Sequence, residues 1–399
     1  MSPYVARILP SIAAFEPADW RRLYGPASEG FDYYRACEEA QPDSFKFIAA
    51  GVLDGERLIA GVPLFRADFR LDMPLQGRLK RLGNWLHRYA PRLVSLRVLG
   101  AGSPHSDHLA LALDDALGSA ARAAALEALL GGLLTHARDK QSRADIIAVK
   151  DVTDAQARWA DPVFRRLGFA RIATLPVAVL ELPFKSEAQY IESLSQNQRS
   201  NLRRKLKKAK DVRVEVRDNV DGLDRQIAEL REATRLDAEV DYGDFEQVAP
   251  GYFAAVMRHM PDRARALLYW QGEVLVGFAL VFLEPERMIF QYVGMRYPAA
   301  KELGIYFLNW MTMIRLCLER GIPKLHAGQT TYLTKCRLGC ELERTWIYFR
   351  ARGRAWNVAV KTLGPLFAID RMDPDLKALG DKARYVGRDH GVPATPGAA

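Results

Sequence analysis

SQNQRSNLRRKLKKAK, Ser195–Lys210, lies at the middle of a 399-residue chain, and its reading decides how the rest divides. Ser195 with Gln198 three positions later has the form of a capping box. Ile191, Leu194, Leu202, Leu206 and Ala209 recur at helical spacing, so the pattern predicts a helix. Arg199, Arg203, Arg204, Lys205, Lys207, Lys208 and Lys210 fill its other faces with no acidic residue among them. A solvated helix normally intersperses Glu for i,i+4 pairing, so this face points to an anionic ligand; a plain solvated connector is the other reading.

Outward from this helix, the two flanks follow one order. On the N-terminal side the patterns predict a strand at Tyr4–Leu9, helices around Pro17–Tyr24 and Phe31–Ala40, and strands at Phe45–Leu53 and Arg57–Phe65 joined by a turn at Asp54 and Gly55. An insertion, GRLKRLGNWLHRYAPRL, sets an apolar stripe against a basic face and reads as a surface helix on its own domain, with a membrane-surface helix or lid as the alternative. Then come a strand near Asp107–Leu113, an Ala/Leu-rich helix to about His136, a strand ADIIAVK, a helix ending at Arg166–Gly168, and a strand FARIATLPVAVLEL.

On the C-terminal side Val212, Val214 and Val216 alternate as a strand, and helices follow at about Leu223–Ala238 and Gly251–Met260. Strands ARALLYW, VLVGFALVFLE and RMIFQYVGM precede a helix from about Glu302 to Arg320, a strand KLHA, a helix TTYLTKCRLG and a strand ERTWIYFRAR. GERLIAGVPLF from Gly55 aligns without gaps on GEVLVGFALVF from Gly272, and the RLG at Arg166–Gly168 matches the RLG at Arg337–Gly339. Two echoes at matching places indicate an internal repeat. Beyond Gly353, Trp356, Val360, Leu363 and Phe367 predict a docked helix, and the end VPATPGAA reads as disordered.

A composition of 49% hydrophobic and 10% aromatic residues is globular and sufficient for two domains. The 57 Lys and Arg against 48 Asp and Glu give a net charge of +9, which suits nucleic acid, nucleotide, coenzyme phosphate or anionic lipid without choosing among them. Cys37, Cys317, Cys336 and Cys340 show neither a disulfide framework nor a zinc pattern, so they read as reduced and no metal site is expected. The N-terminus lacks the form of a secretory signal, and Ala116–Leu134 is broken by Arg122, Glu127, Gly131 and Gly132. A cytoplasmic protein without a spanning segment is therefore expected, peripheral membrane contact remaining open.

The order strand, helix, helix, three antiparallel strands, helix, strand, helix, strand resembles the GNAT superfamily of N-acyltransferases, and here it runs twice. The tandem arrangement is similar to the Fem-type peptidyltransferases and their acyltransferase relatives in peptidoglycan and exopolysaccharide synthesis. RSNLRRKLKKAK resembles the basic helix at the junction of those relatives, and YLTKCRLG resembles their YxxK-then-Gly element. The resemblance covers roughly residues 1–352. It implies an α/β fold of two GNAT-like domains, each a mostly antiparallel mixed sheet flanked by helices. The boundaries expected are 1–185 for a degenerate scaffold domain, 186–211 for the basic connector, 212–352 for the catalytic domain and 353–399 for the tail.

Acyl transfer from a thioester or ester to an amine needs a bound carrier, donors for the tetrahedral oxyanion and a path for the amine's proton. Carrier phosphates suit a helix start, and YPAAKELGIYFLNW supplies one directly after RMIFQYVGM. The GNAT coenzyme loop runs basic-or-Gln, two residues, Gly, one residue, Gly or Ala. Lys301 and Gly304 fit its first two positions, whereas Tyr306 replaces the small third residue and would crowd a pyrophosphate. The matching place in the first half, LDDALGSAAR, carries Asp114 and Asp115, which repel phosphate, so only the second half is expected to bind the carrier. Arg199, Arg203, Arg204 and Gln329 complete the expected carrier-binding set.

Lys335, four residues before Gly339, holds the place where many GNAT enzymes have a proton-donating Tyr and the Fem-type relatives a Lys; Phe164 holds it before Gly168. His326, at the end of KLHA, is a second candidate proton handler. Asp241 and Tyr242, in a polar loop, are candidates to face the acceptor, and Tyr292 to line the acyl channel. The expected function is transfer of an acyl group from acyl-CoA to an amine of a small molecule, sugar or cell-envelope precursor. Aminoacyl-tRNA is the alternative donor, and a non-enzymatic nucleic-acid binder using the basic helix is the rival of another class. That rival is weakened by the absence of aromatics interleaved with the basic run.

Overall fold

Gly55 and Gly272 each take a left-handed φ of +59°, open to a residue without Cβ, and each turns one hairpin, the first in one sheet and the second in the other. The computed structural model describes residues 4–42, 44–70, 95–237, 248–353, 356–358, 362 and 373–387. Before the first hairpin lie β1 (Val5–Leu9), α1 (Pro17–Tyr24) and α2 (Phe31–Glu39); its strands are β2 (Lys46–Asp54) and β3 (Arg57–Arg70). β4 (Ser95–Ala101), β5 (Ala112–Leu113), α3 (Ser119–His136), β6 (Ile146–Thr153), α4 (Asp154–Arg166) and β7 (Ala170–Ala173) follow. The chain passes through β8 (Val177–Glu181), α5 (Glu187–Ser193) and the basic helix α6 (Gln196–Lys208) to β9 (Val212–Arg217), α7 (Asp224–Asp237) and α8 (Tyr252–His259). β10 (Ala264–Gln271), β11 (Val274–Leu283) and β12 (Met288–Met295) form the second meander. After it come α9 (Ala299–Leu303), α10 (Ile305–Arg320), β13 (Lys324–Gly328), α11 (Tyr332–Arg337), β14 (Glu341–Glu343), β15 (Thr345–Ala351) and α12 (Pro374–Leu379).

The repeat is structural as well as sequential. The β2–β3 ladder shifts register between Leu58 and Ala60, and the β10–β11 ladder shifts between Leu275 and Gly277, which are the aligned positions of the two echoing segments. A bulge is a one-residue device that bends a strand, so its recurrence at one aligned place is a shared feature of both halves. Gly168 and Gly339 likewise take φ of +80° and +99° as the chain leaves α4 and α11.

The eight-stranded sheet runs β1-β2-β3-β4-β6-β15-β7, with β5 against β3, and the seven-stranded sheet runs β14-β8-β13-β12-β11-β10-β9. Here the sequence reading needs correction. FARIATLPVAVLEL, read as one strand of the first half, is two strands: β7 stays in its own sheet, and β8 crosses to pair with β13 of the other. ERTWIYFRAR does the reciprocal, since β14 pairs β8 in the second sheet while β15 lies between β6 and β7 in the first. β7–β8 and β14–β15 therefore form one antiparallel ribbon stitching both sheets, with Thr174 N–H donating to Thr345 O at 3.1 Å where it changes sheet. Period-2 alternation tells that a stretch is extended but not which sheet accepts it.

Three smaller readings shift. The strand expected near Asp107 shrinks to Ala112–Leu113, the helix expected from Glu302 is broken by Gly304 in a left-handed conformation, and Leu194, extended at ψ 153°, separates α5 from α6. The insertion at 77–93 and most of the predicted tail helix lie outside the described residues.

β11 is buried along nearly its whole length, as its unbroken apolar run requires. The halves meet through α2 and α8: Phe31, Tyr33 and Tyr34 share one core with Tyr252, Phe253, Phe278 and Phe282. No described helix is long and apolar enough to cross a membrane.

Candidate active site

β12 and β13 are parallel neighbours for only two residue pairs, Met288 with Leu325 and Ile289 with His326. Beyond them the strands part. In the same stretch a register shift leaves Gln291 out of the β11–β12 ladder, and Gln291, Tyr292 and Val293 are half-buried in a strand otherwise buried. An opening in the centre of a sheet leaves strand N–H and C=O groups without ladder partners, which suits an extended amide-bearing ligand.

At the end of β13 the backbone turns sharply. Gly328, Thr330 and Thr331 take φ of +76°, +65° and +54°; for the β-branched threonines this conformation costs about 1–2 kcal/mol each. The turn aims two carbonyls at one point, where the Lys335 ammonium donates to Gly328 O at 3.2 Å and Gln329 O at 2.8 Å. Lys335 is only 4% exposed, and burial draws its pKa down to about 8, Cys340 and Asp107 opposing the shift. A lysine so placed is an ammonium at neutral pH that gives up its proton readily.

A loop of the first half closes the other side. Lys150, ion-paired to Asp151 at 2.5 Å, donates to Ser103 O and Ser106 O at 2.9 and 2.6 Å and fixes the turn between β4 and β5. From that turn Asp107 accepts the Gln329 N–H at 3.2 Å, and the space beside Gly328 is filled by the same carboxylate. Burial and then Asp151 push the Asp107 pKa up, against Lys150 and Lys335. His105 meets the Tyr292 hydroxyl at 2.9 Å through Nδ1, and Gln291 Nε2 donates to Tyr33 Oη at 3.1 Å and to His105 O. Asp107 also raises the Tyr292 pKa, though burial is the main cause, so this carboxylate stands near both Tyr292 and Lys335.

Elsewhere in the second half, α6 crosses the start of α10. A Cβ on Gly304 would come within 2.9 Å of Lys205 O, so only glycine allows the two helices this approach. Among the described residues no carboxylate pairs with Arg199, Arg203, Arg204, Lys205, Lys207 or Lys208: Arg199 donates to Glu192 O, Arg204 to Asn201 Oδ1, and Lys205 lies over the Phe307 ring. The Tyr306 ring packs against the second core with its hydroxyl buried.

The expected residues thus fall into two groups. Lys335 and Gln329 touch, with Tyr292 across the groove; Gly304 sits at the α6–α10 seam against Lys205, and Arg199, Arg203 and Arg204 stand on α6. Lys301 is at that seam too, with its ammonium on Asp237 at 2.8 Å and over the Tyr297 ring. Gln329 spends its side-chain amide on Leu175 O at 2.8 Å. His326 stands in the β13 ladder facing His108, ring centres 6.3 Å apart, in a buried cluster with Arg287 that holds it neutral. Asp241 and Tyr242 lie outside the described residues. Sequence reading missed His105, Asp107 and Gln291; the polar run SPHSDH between two strands was the available sign, since polar loops on a rigid frame commonly carry function.

Residues 196–332 match the family model described as an acetyltransferase (GNAT) domain. No curated protein matches the sequence. Among solved structures the chain is similar to the C-terminal domain (DUF2156) of a putative lysylphosphatidylglycerol synthetase from Agrobacterium fabrum, with 10% identity and a TM-score of 0.50 over 87% of this chain and 92% of that one. It is also similar to FemX, at 14% identity and a TM-score of 0.49 over 79% of this chain and 90% of that one. A tandem GNAT protein from the clavulanic acid biosynthesis pathway gives 11% identity and a TM-score of 0.47 over 87% and 99%. With a second half that matches the GNAT domain over residues 196–332 and a first half that repeats its elements, the chain is a tandem arrangement of the GNAT fold.

Proposed function

We propose that the protein is an N-acyltransferase that takes an acyl group from acyl-CoA, bound by the second half, and passes it to an amine entering from the side of the first half. The carrying observation is Lys335: a buried ammonium, drawn down to about 8 and held by two carbonyls at the mouth of the gap between β12 and β13. When the amine attacks the acyl carbonyl, negative charge develops on oxygen and then on the departing sulfur. The ammonium stabilises the first and protonates the second. Asp107, raised in pKa by burial and placed beside the Lys335 turn, is the group best placed to receive the amine's proton. The Gly304 start of α10, crossed by the basic helix α6 at Lys205, supplies N–H groups and positive charge for carrier phosphates.

The unpaired cations of α6 favour a second reading, in which the carrier is the larger polyanion aminoacyl-tRNA and the acceptor a cell-envelope precursor amine. A nucleic-acid binder without turnover would show the same salt-steep binding and no product. Native mass spectrometry of the purified chain separates these cases: a coenzyme A adduct supports the first, a bound tRNA the second. Competition between free CoA and a tRNA mobility shift then ranks them.

A further inference from the structure

His105 takes no part in the acyl transfer proposed, yet both its backbone and its ring are held in the groove wall. Its N–H donates to Ser103 Oγ at 3.1 Å, its carbonyl accepts from Gln291 and from the Tyr33 hydroxyl at 3.3 Å, and its Nδ1 lies 2.9 Å from the Tyr292 oxygen. Phe45, Phe47 and Tyr252 surround the ring, with centroids at 6.2, 6.1 and 5.2 Å. Burial, then the nearby cations Lys150 and Arg231, push its pKa down to about 3, so the imidazole stays neutral at working pH. A neutral imidazole has one N–H and one lone pair. Among the described residues Nε2 has no polar partner, and the Tyr292 hydroxyl has none besides Nδ1. The phenol proton is satisfied within the protein only if Nδ1 accepts it. Nε2 therefore carries the hydrogen and Nδ1 accepts from Tyr292.

That assignment fixes what Tyr292 offers a ligand. Its single proton is spent on His105, and burial keeps the phenol from ionising. Its oxygen can only accept further hydrogen bonds. We propose that His105, supplied by the first half, is a positioning residue that orients the Tyr292 hydroxyl so that its lone pairs face the groove and hold the N–H of the amine substrate. What is positioned rests on the acyl-transfer reading. Arg231, 5.4 Å over the Tyr292 ring, adds selection, because a guanidinium there repels an ammonium and leaves the free-base amine, the nucleophilic form, as the species bound.

Long-range 15N–1H spectra of the imidazoles in the labelled full-length chain test the first step, with the His105 signals identified by their loss in His105→Asn. The Nε2–H tautomer, unchanged from pH 5 to 8, is expected; an Nδ1–H tautomer or an imidazolium overturns the proposal. Kinetics with acetyl-CoA and a panel of primary amines test the second. His105→Leu should raise the amine KM about tenfold, a single lost hydrogen bond, with kcat and donor KM within about twofold. His105→Asn, whose Oδ1 replaces the Nδ1 acceptor, should recover most of that loss, and Tyr292→Phe combined with His105→Leu should lose no more than either alone. Equal losses in the Leu and Asn variants, or a loss confined to the donor KM, reject the positioning role. If the wild type acylates no amine in the panel, the acyl-transfer reading fails instead, and the tautomer spectrum still decides whether His105 orients Tyr292.

Discussion

Lys335 carries opposite consequences for rate and for stability, and both follow from one displaced pKa. Its folded value of about 8 lies below the ordinary lysine value of 10.5, so the native state holds its proton less tightly than the unfolded chain. Below about pH 8 the protein bears the cost of a buried ammonium; between 8 and 10.5 that cost falls away as the native lysine is neutral while the unfolded one is not. Lys335→Met should thus be more stable than wild type at pH 7, by about 1–3 kcal/mol before the two freed carbonyls subtract their share. The advantage should shrink as pH rises through 10, and thermal melts at pH 7 and 10 measure both. Activity should move the other way. Because the ammonium is the working form, kcat should fall as pH rises through 8; Lys335→Met should lose that limb and about a hundredfold in kcat, with donor binding little changed. A variant close to wild-type kcat removes Lys335 from the mechanism. This residue was legible because its spacing to Gly339 is local. His105 and Asp107 were not, since their partners Tyr292 and Gln329 are brought to them only by the packing of one half on the other.

Among the elements, α6 is the one whose sequence and surroundings agree most closely. Ser195 caps it, its Oγ accepting the Gln198 N–H at 3.4 Å, and Leu202 is the residue it buries, as the spacing predicts. Its exposed Arg203, Arg204, Lys207 and Lys208 have no described carboxylate to neutralise them, and the helix that carries them crosses the start of α10. Arg203→Glu with Arg204→Glu should therefore raise the Kd or KM of the anionic carrier and flatten its dependence on salt, because two fewer cations displace fewer counterions. The fold should be unaffected, both side chains being exposed. Unchanged affinity for CoA and for tRNA alike reduces α6 to a solvated connector. The elements that sequence misplaced are those whose extended pattern is satisfied equally by either sheet. FARIATLPVAVLEL alternates correctly for a strand throughout, and only the ladders of β7 with β15 and of β8 with β13 show that it changes sheet at Thr174–Pro176.

For the whole molecule, that exchange decides how the halves depend on each other, and their differences decide how many carriers they bind. β15 fills the place between β6 and β7, so residues 1–185 alone would leave two strands without their shared partner. Calorimetric unfolding should be one transition with equal calorimetric and van 't Hoff enthalpies, and two resolved transitions would show the ribbon to be weaker than the topology implies. Duplication suggests two carrier sites, yet three features restrict the first half. Its parallel pair stays zipped, four residues Val98–Ala101 of β4 against Ile146–Val149 of β6, where β12 and β13 part after two. Phe164 stands where Lys335 does and stacks on Tyr348 at 3.9 Å. Asp114, held ionised by the Ala116 N–H and Arg57, pairs with Arg22 at 2.8 Å and Arg57 at 2.6 Å, so both guanidiniums are already taken by a carboxylate of the chain. Each feature removes a different requirement: the opening, the proton donor and the anion site. Titration calorimetry of the full chain with CoA, or with tRNA if CoA gives no heat, should return a stoichiometry near one. Two equivalent sites, or labelling of first-half residues by a reactive CoA analogue, would mean that a closed β4–β6 pair opens to admit a carrier, and the division of labour between the halves would have to be abandoned.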